Sequence, residues 1–290
     1  MISLRDGDGS RAGNGAFAGK VVWITGASSG IGRALALAFD RAGAELVLSA
    51  RRTNALEEVR SRCRRDPDAV DVVPLDLTDG ERIPEVAEAV LDRHGRVDVM
   101  VHNAGIAHRD LVANTPLAVD RRIMEVNYFG PVTLTKHLLP HMLAGRSGRF
   151  VVVTSMSGVY GAPCVSAYAA SKHALHGFFE SLRAEVHDDG VGVTIVVPGF
   201  IRTAITEHAL TGEGTPYGRR LSVHEEGMDP DECAERILRG VAGGEDEVLV
   251  GKSEILSVYL ARLFPGLLAR LVRSHPVRTR ERWLSKLPWR

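Results

Sequence analysis

The 290-residue chain is long enough for one sizeable α/β unit, and its 44% hydrophobic content suffices for a substantial core. Its 36 basic side chains balance its 36 acidic ones, so no global field argues for a nucleic-acid partner. Three widely separated cysteines, Cys63, Cys164 and Cys233, suggest neither a disulfide framework nor a metal site and point to a reducing, cytoplasmic compartment.

Residues 1–18 are polar and glycine-rich without an apolar run, which predicts a disordered tail and no signal peptide. Val21 to Thr25 is a continuous apolar strand that enters Gly26-Ala27-Ser28-Ser29-Gly30-Ile31-Gly32 and then a helical segment, Arg33 to Ala42. Strand, glycine-rich turn and helix together form a dinucleotide cradle. Glycine lets the backbone approach a pyrophosphate, and the helix amino terminus offers unpaired N–H groups and a favourable dipole. The second strand, Glu45 to Ser49, runs into Ala50-Arg51-Arg52. A carboxylate there would bind a ribose 2′-hydroxyl and repel a 2′-phosphate; its absence, with Arg51 present, predicts NADP(H) with Arg51 on the phosphate. The alternative is a solvated start to the next helix, and Arg52 receives no role.

Further βα units follow: a strand over residues 72–75 leading to Asp76-Leu77, a helix over 83–94, and a strand over 97–101 ending in His102-Asn103-Ala104-Gly105. A long helical region carries Asn127 to the strand 150–154, and after the helix 167–186 comes the strand 191–197, ending at Pro198-Gly199. Strands alternating with helices predict a Rossmann-type, doubly wound parallel sheet in one domain over residues 19–252. Ser155 then falls at a strand's carboxyl end, where such sheets place their ligands.

Tyr168 and Lys172 are four apart and share a helix face. A free phenol titrates near ~10, too high for efficient proton exchange at neutral pH. A lysine charge about 4 Å away is worth roughly 4 kcal/mol at an effective dielectric of about 20, enough to lower the phenol by up to ~3 pH units. Tyr168 could then exchange a proton with a carbonyl or alcohol oxygen held by Ser155. By itself the pair also fits an ordinary helix.

The whole set resembles the short-chain dehydrogenase/reductase family, carried by Thr25-Gly26-Ala27-Ser28-Ser29-Gly30-Ile31-Gly32, Asp76, Asn103-Ala104-Gly105, Asn127, Ser155, Tyr168, Lys172 and Pro198-Gly199 in order. His102 departs from the second asparagine of many members. The resemblance implies Tyr168 as general acid/base, Lys172 lowering its pKa and holding the nicotinamide ribose, Ser155 polarising the substrate oxygen, and Asn127 seating a proton-relay water. It also implies Asp76, and Leu77 after it, beside the adenine, Asn103 to Gly105 along the cofactor, and Ile201 and Thr203 near the carboxamide and phosphates. Residues 166–174 and 198–203 are similar to a branch containing member-seven type and microsomal hydroxysteroid enzymes, which act on bulky, apolar carbonyls or alcohols. The expected activity is hydride transfer with such a small-molecule substrate by a homo-oligomer, a dimer or tetramer. The rivals are an NAD-linked dehydrogenase and a non-catalytic nucleotide-sensing scaffold.

Substrate choice falls to the loops 107–117, 159–165 and 203–227, the last a mobile lid. Cys164 and His208 could face substrate, although a lone Cys or His is commonly structural. The extension, residues 253–290, carries leucines at helical spacing split by Pro265-Gly266. From Arg262 to Arg290, eight basic residues face one acid, Glu281, with Trp283 and Trp289 interleaved. It is too broken to span a bilayer and predicts peripheral membrane contact, or packing with Leu260, Phe264, Leu267 and Leu271 buried against protein.

Overall fold

The continuous apolar runs become strands covered on both faces, as parallel sheets require. In the computed structural model, which describes residues 15–63 and 69–273, these are β1 (Val21–Thr25), β2 (Glu45–Ser49), β3 (Val70–Val72), β4 (Val99–His102), β5 (Gly148–Val153), β6 (Val191–Pro198) and β7 (Glu247–Val250). They form one sheet in the order β3-β2-β1-β4-β5-β6-β7, and every pairing is parallel. The helices are α1 (Gly30–Arg41), α2 (Thr53–Arg60), α3 (Arg82–His94), α4 (Leu117–Met124), α5 (Gly130–Ala144), α6 (Ser166–Glu185), α7 (Ser222–Glu225), α8 (Pro230–Ala242), α9 (Leu256–Leu263) and α10 (Pro265–Arg273).

Successive strand side chains point to opposite faces. Ile24, Leu46, Val101 and Val196 pack under α1 and α8, whereas Trp23, Met100, Phe150 and Ile195 pack under α3, α5 and α6. β1 pairs with β2 on one side and β4 on the other, so the chain reverses direction across the sheet there. The crevice above the carboxyl ends of β1 and β4 is the switch point at which such sheets bind ligands. The registers Ile24↔Val101, His102↔Val152 and Val153↔Val196 bring these ends level.

Several boundaries differ from the sequence reading. Phe17, assigned to a tail, is buried edge-on against Phe39 with ring centroids 4.9 Å apart, so residues 15–18 join the fold. Residues 1–14 of that tail lie outside the described residues. β3 ends at Val72, ahead of Pro74, which has no N–H to add to a ladder. The helical region around Asn127 is interrupted by a π-turn at Glu125–Phe129, which no apolar period signals. The extension does break at Pro265 into α9 and α10, but its packing is inverted from the docking expectation. Val258 and Leu268 are buried, while Phe264, Leu267 and Leu271 are exposed.

Candidate active site

The phosphate turn follows β1. Gly26 has φ 67°, and a Cβ there would stand 2.8 Å from the Ala104 Cα. A Cβ on Gly32 would collide with the Gly26 carbonyl and the Asn103 side chain. Asn103 locks the turn by donating its Nδ2 hydrogens to the Thr25 and Gly26 carbonyls at 3.0 and 3.3 Å. The Thr25 hydroxyl accepts the Asn103 and Ala104 N–H groups, each at 3.2 Å. Ser29 precedes α1 without a side-chain capping bond, so its hydroxyl leaves the first-turn N–H groups to another acceptor. Ser28 and Ile31 are half-exposed in the turn. Backbone packed this closely, ending on an uncapped helix, fits a pyrophosphate.

At the adenine edge, Arg51 is exposed just beyond β2 and has no carboxylate within ion-pair distance among the described residues. Ser49 is unavailable to a ligand, because its hydroxyl accepts the Trp23 indole N–H at 2.8 Å. Asp76 accepts the Thr78 N–H and hydroxyl at 3.0 and 2.8 Å. Burial pushes its carboxyl up, but these bonds and the charges of Arg51 and Arg122 prevail and hold it below its ordinary value. Leu77 is buried beneath this edge against Gly130, where no side chain would fit.

The catalytic candidates converge at the carboxyl end of β5. α6 presents Tyr168, Ser171, Lys172, Leu175 and Phe179 at helical spacing, so one inward stripe is polar at its top and apolar below. Leu175 and Phe179 are fully buried, each worth about 1.5–3 kcal/mol relative to exposure. That anchorage offsets the cost of burying Lys172, which is 4% exposed. Lys172 donates from Nζ to the Val153 carbonyl at 2.9 Å, and burial lowers its pKa to about 8, leaving it mostly cationic at neutral pH.

Here one expectation is corrected. Burial raises the Tyr168 pKa above its ordinary value, and only the hydrogen bond with Ser155 opposes the rise. The Lys172 ammonium is aimed at the Val153 carbonyl and lies 5.8 Å from the phenol ring centroid. Lys172 therefore does not by itself depress the phenol in this arrangement.

Asn127 sits in the π-turn, fully buried. Its Oδ1 accepts the Ile106 N–H at 2.8 Å, and its Nδ2 donates to the Ile106 carbonyl at 2.9 Å and to the Ser171 hydroxyl at 3.0 Å. A Cβ on Gly105 would lie 3.2 Å from Asn127 Oδ1 and 3.5 Å from Lys172 Nζ, so both groups bound the same small volume.

Past β6, Pro198 and Gly199 lead to buried Ile201, which bridges to Met228, and to Thr203, whose methyl would lie 3.1 Å from a Cβ on Gly30. The lid thus begins beside the phosphate turn and is fastened to the loop after β4: Arg109 donates to the Leu210 carbonyl at 2.8 Å and Leu210 to the Ala107 carbonyl at 2.9 Å. Cys164 adopts φ 67° and burial raises its thiol pKa, while His208 is exposed. His102 is a core residue, stacked on Phe150 and hydrogen-bonded to Thr135 at 2.8 Å; burial lowers its pKa to about 3. Sequence reasoning missed Ser171, which joins Asn127 to the Tyr168 carbonyl, and the Thr154–His176 bond of 3.0 Å behind Ser155. Hydroxyls at unremarkable helix and strand positions give no periodic signal.

A parallel switch-point sheet with a glycine-built cradle and a Ser-Tyr-Lys cluster at its carboxyl edge defines a nucleotide-dependent oxidoreductase. The family model for the short chain dehydrogenases matches residues 20–214, and the chain belongs to that family. It is 44% identical over 258 residues to a dehydrogenase/reductase SDR family protein 7-like of Drosophila melanogaster, covering 86% of this chain and 78% of the relative. A metagenomic short-chain oxidoreductase solved in complex with NADP is 28% identical with a TM-score of 0.67, over 81% of this chain and 98% of that one. A short chain dehydrogenase/reductase of Burkholderia phymatum, solved in complex with NAD, shares the fold at 24% identity with a TM-score of 0.78, over 87% and 96% of the two chains. The chain is accordingly an oxidoreductase of alcohol and carbonyl groups that uses a nicotinamide cofactor. Among the described residues, no helix is long and apolar enough to cross a membrane.

Proposed function

We propose that the chain is an NADP(H)-dependent enzyme interconverting a bulky, apolar carbonyl compound and its alcohol. The observation that carries this reading is the convergence of Ser155 and Tyr168 beside a buried Lys172 at the carboxyl end of β5. When bound, the nicotinamide supplies or accepts the hydride at the substrate carbon. In the reducing direction Tyr168 gives its proton to the substrate oxygen, and Ser155 holds that oxygen by a hydrogen bond. Lys172 keeps a positive charge beneath the phenol and reaches the ribose, which holds the nicotinamide against the substrate. Asn127, fixed by Ile106 and Ser171, orients the water through which Tyr168 is reprotonated. Gly26 to Gly32 with Asn103 to Gly105 cradle the pyrophosphate, Asp76 and Leu77 flank the adenine, and Pro198 to Thr203 receive the carboxamide.

NADP(H) is favoured over NAD(H) because Arg51 stands exposed beyond β2 while neither Ser49 nor Ala50 offers a carboxylate. Homo-oligomerisation is part of the same reading. The apolar substrate and a peripheral lipid contact are supported by α9 and α10, where Leu256, Leu263, Phe264, Leu267 and Leu271 are between 50% and 68% exposed. The basic residues and tryptophans of the extension beyond Arg273 lie outside the described residues.

The test is a cofactor titration followed by turnover with NADPH and NADH on ketones of graded size. Tighter NADPH binding, and turnover that improves with apolar bulk, supports the reading. Cofactor binding without turnover on any carbonyl or alcohol favours a nucleotide-sensing scaffold.

A further inference from the structure

The extension begins where β7 ends, and its first turn reaches back to the site. Glu254 Oε1 accepts two backbone N–H groups, from Phe200 at 3.0 Å and Lys252 at 3.1 Å. Gly199 and Gly251 make room for this carboxylate: a Cβ on Gly199 would collide with it, and one on Gly251 would lie 2.7 Å from it. Lys252 donates from Nζ to the Glu226 carbonyl at 2.7 Å, at the end of α7. Phe200 lies three residues ahead of the lid and Glu226 nearly closes it, and Met228 donates across to the Phe200 carbonyl at 2.8 Å. Ser257 stands 2.9 Å from the Tyr160 hydroxyl, donates to the Glu254 carbonyl at 2.6 Å, and reaches Met156 Sδ at 3.6 Å. Met156 directly follows Ser155.

We propose that residues 252–257 form a strap in which Glu254 and Lys252 are positioning residues for both ends of the lid, and Ser257 with Tyr160 for the Ser155 loop. This deepens the dehydrogenase reading and rests on it. The strap touches the nicotinamide end of the crevice and leaves the adenine end alone. Gly199 and Phe200 precede Ile201 and Thr203, whereas Arg51 and Asp76 stand beyond β2 and β3, across the sheet. A carboxylate bridging two backbone N–H groups holds a turn more firmly than neutral partners do, because charge-assisted bonds are about twice as strong. Losing Glu254 frees two donors and lets the lid's entry shift against the catalytic loop. The consequence is confined to nicotinamide placement, lid closure and turnover.

The test compares wild type with Glu254→Ala, Glu254→Gln, Lys252→Met and Tyr160→Phe. It follows kcat, KM for a ketone substrate, and the Kd values of NADPH and of 2′,5′-ADP, which lacks the nicotinamide. For Glu254→Ala the strap predicts about a tenfold fall in kcat and a severalfold weaker NADPH Kd, since loss of one charged hydrogen bond is worth about that factor. The 2′,5′-ADP Kd stays within about twofold of wild type. Glu254→Gln recovers about half of the loss in free-energy terms, because its amide oxygen accepts the same two N–H groups without the charge. Lys252→Met and Tyr160→Phe show smaller losses of the same kind and remain informative should Glu254→Ala not fold. Equal weakening of NADPH and 2′,5′-ADP, or lowered thermal stability with kcat and both Kd values unchanged, overturns the strap. A wild-type protein that binds none of NADPH, 2′,5′-ADP and NADH overturns the dehydrogenase reading and the strap with it; a turning-over wild type with indifferent variants overturns the strap alone.

Discussion

Helix α6 and the pair α9–α10 bury the wrong residues in opposite senses. α6 turns a lysine and a serine inward, Lys172 at 4% and Ser171 at 0% exposure, while α9 and α10 turn Leu263 and Leu267 outward at 68% and 50%. Each helix also has a conventional part: Leu175, Phe179 and Leu182 of α6 are core, as are Val258 of α9 and Leu268 of α10. The conventional part supplies the anchorage, and the inverted part is free to do something other than fold the chain. Under the proposed function the buried cation is kept, at a cost, for chemistry, and the exposed leucines are the surface proposed to meet lipid.

Replacing Lys172 breaks the first half of this comparison and has the largest expected effect. Lys172→Met should lower turnover by about 10²–10⁴, the range of a proton-transfer apparatus, without unfolding the protein. The sign of its stability effect follows from the folded pKa of about 8 against an ordinary 10.5. A depressed lysine pKa means that the unfolded chain binds more protons between these values, so wild-type stability rises with pH across that window. Below about pH 8 the full penalty remains, on the order of 3 kcal/mol before the lost Val153 hydrogen bond is counted. The variant has no such group, so its stability relative to wild type should fall as pH climbs from about 8 to 10.5. Thermal unfolding of both proteins across that range checks it.

The second half is sharpened by two neighbouring leucines. Leu268→Ala should destabilise the protein by about 2–3 kcal/mol, as for a core leucine, in denaturant titration. Leu267→Gln should stay within about 0.5 kcal/mol. Combined with Leu263→Gln and Leu271→Gln, however, it should abolish co-sedimentation with anionic vesicles at low salt. If the triple variant and wild type sediment alike, the exposed leucines face no lipid. These substitutions spare residues 252–257, which a truncation would remove.

Cofactor choice is the smaller effect and lies outside both helices. Arg51→Asp replaces an attraction of about 1 kcal/mol by a comparable repulsion, so the NADPH:NADH preference should move by roughly 30-fold toward NADH. Direct binding of both cofactors at two salt concentrations checks this, since the wild-type preference should shrink as salt rises.

Much of this was legible in the sequence because it is periodic or steric. The strand runs, the glycines that a Cβ would obstruct, and the Tyr168–Lys172 spacing each leave a pattern in the letters. The relation between burial and charge was not legible. Helix spacing places Lys172 near Tyr168, but only the fold reveals that its ammonium turns to the Val153 carbonyl and that burial raises the phenol. The π-turn at Asn127 and the Glu254 contacts depend on residues 21 and 54 positions away, Ile106 and Phe200, which no local pattern encodes. Phe17 was likewise read as tail because its partner Phe39 lies beyond any local window.

The central claim is that Tyr168 carries the proton in a site built to hold a nicotinamide cofactor. Its most direct test is Tyr168→Phe, with turnover and NADPH affinity measured on the same preparation. The substitution removes only the hydroxyl that gives the proton, so the account predicts turnover reduced by about 10²–10⁴ with the NADPH Kd changed by less than about threefold. A Tyr168→Phe enzyme that keeps a tenth or more of wild-type turnover, roughly a 1.4 kcal/mol effect, contradicts it.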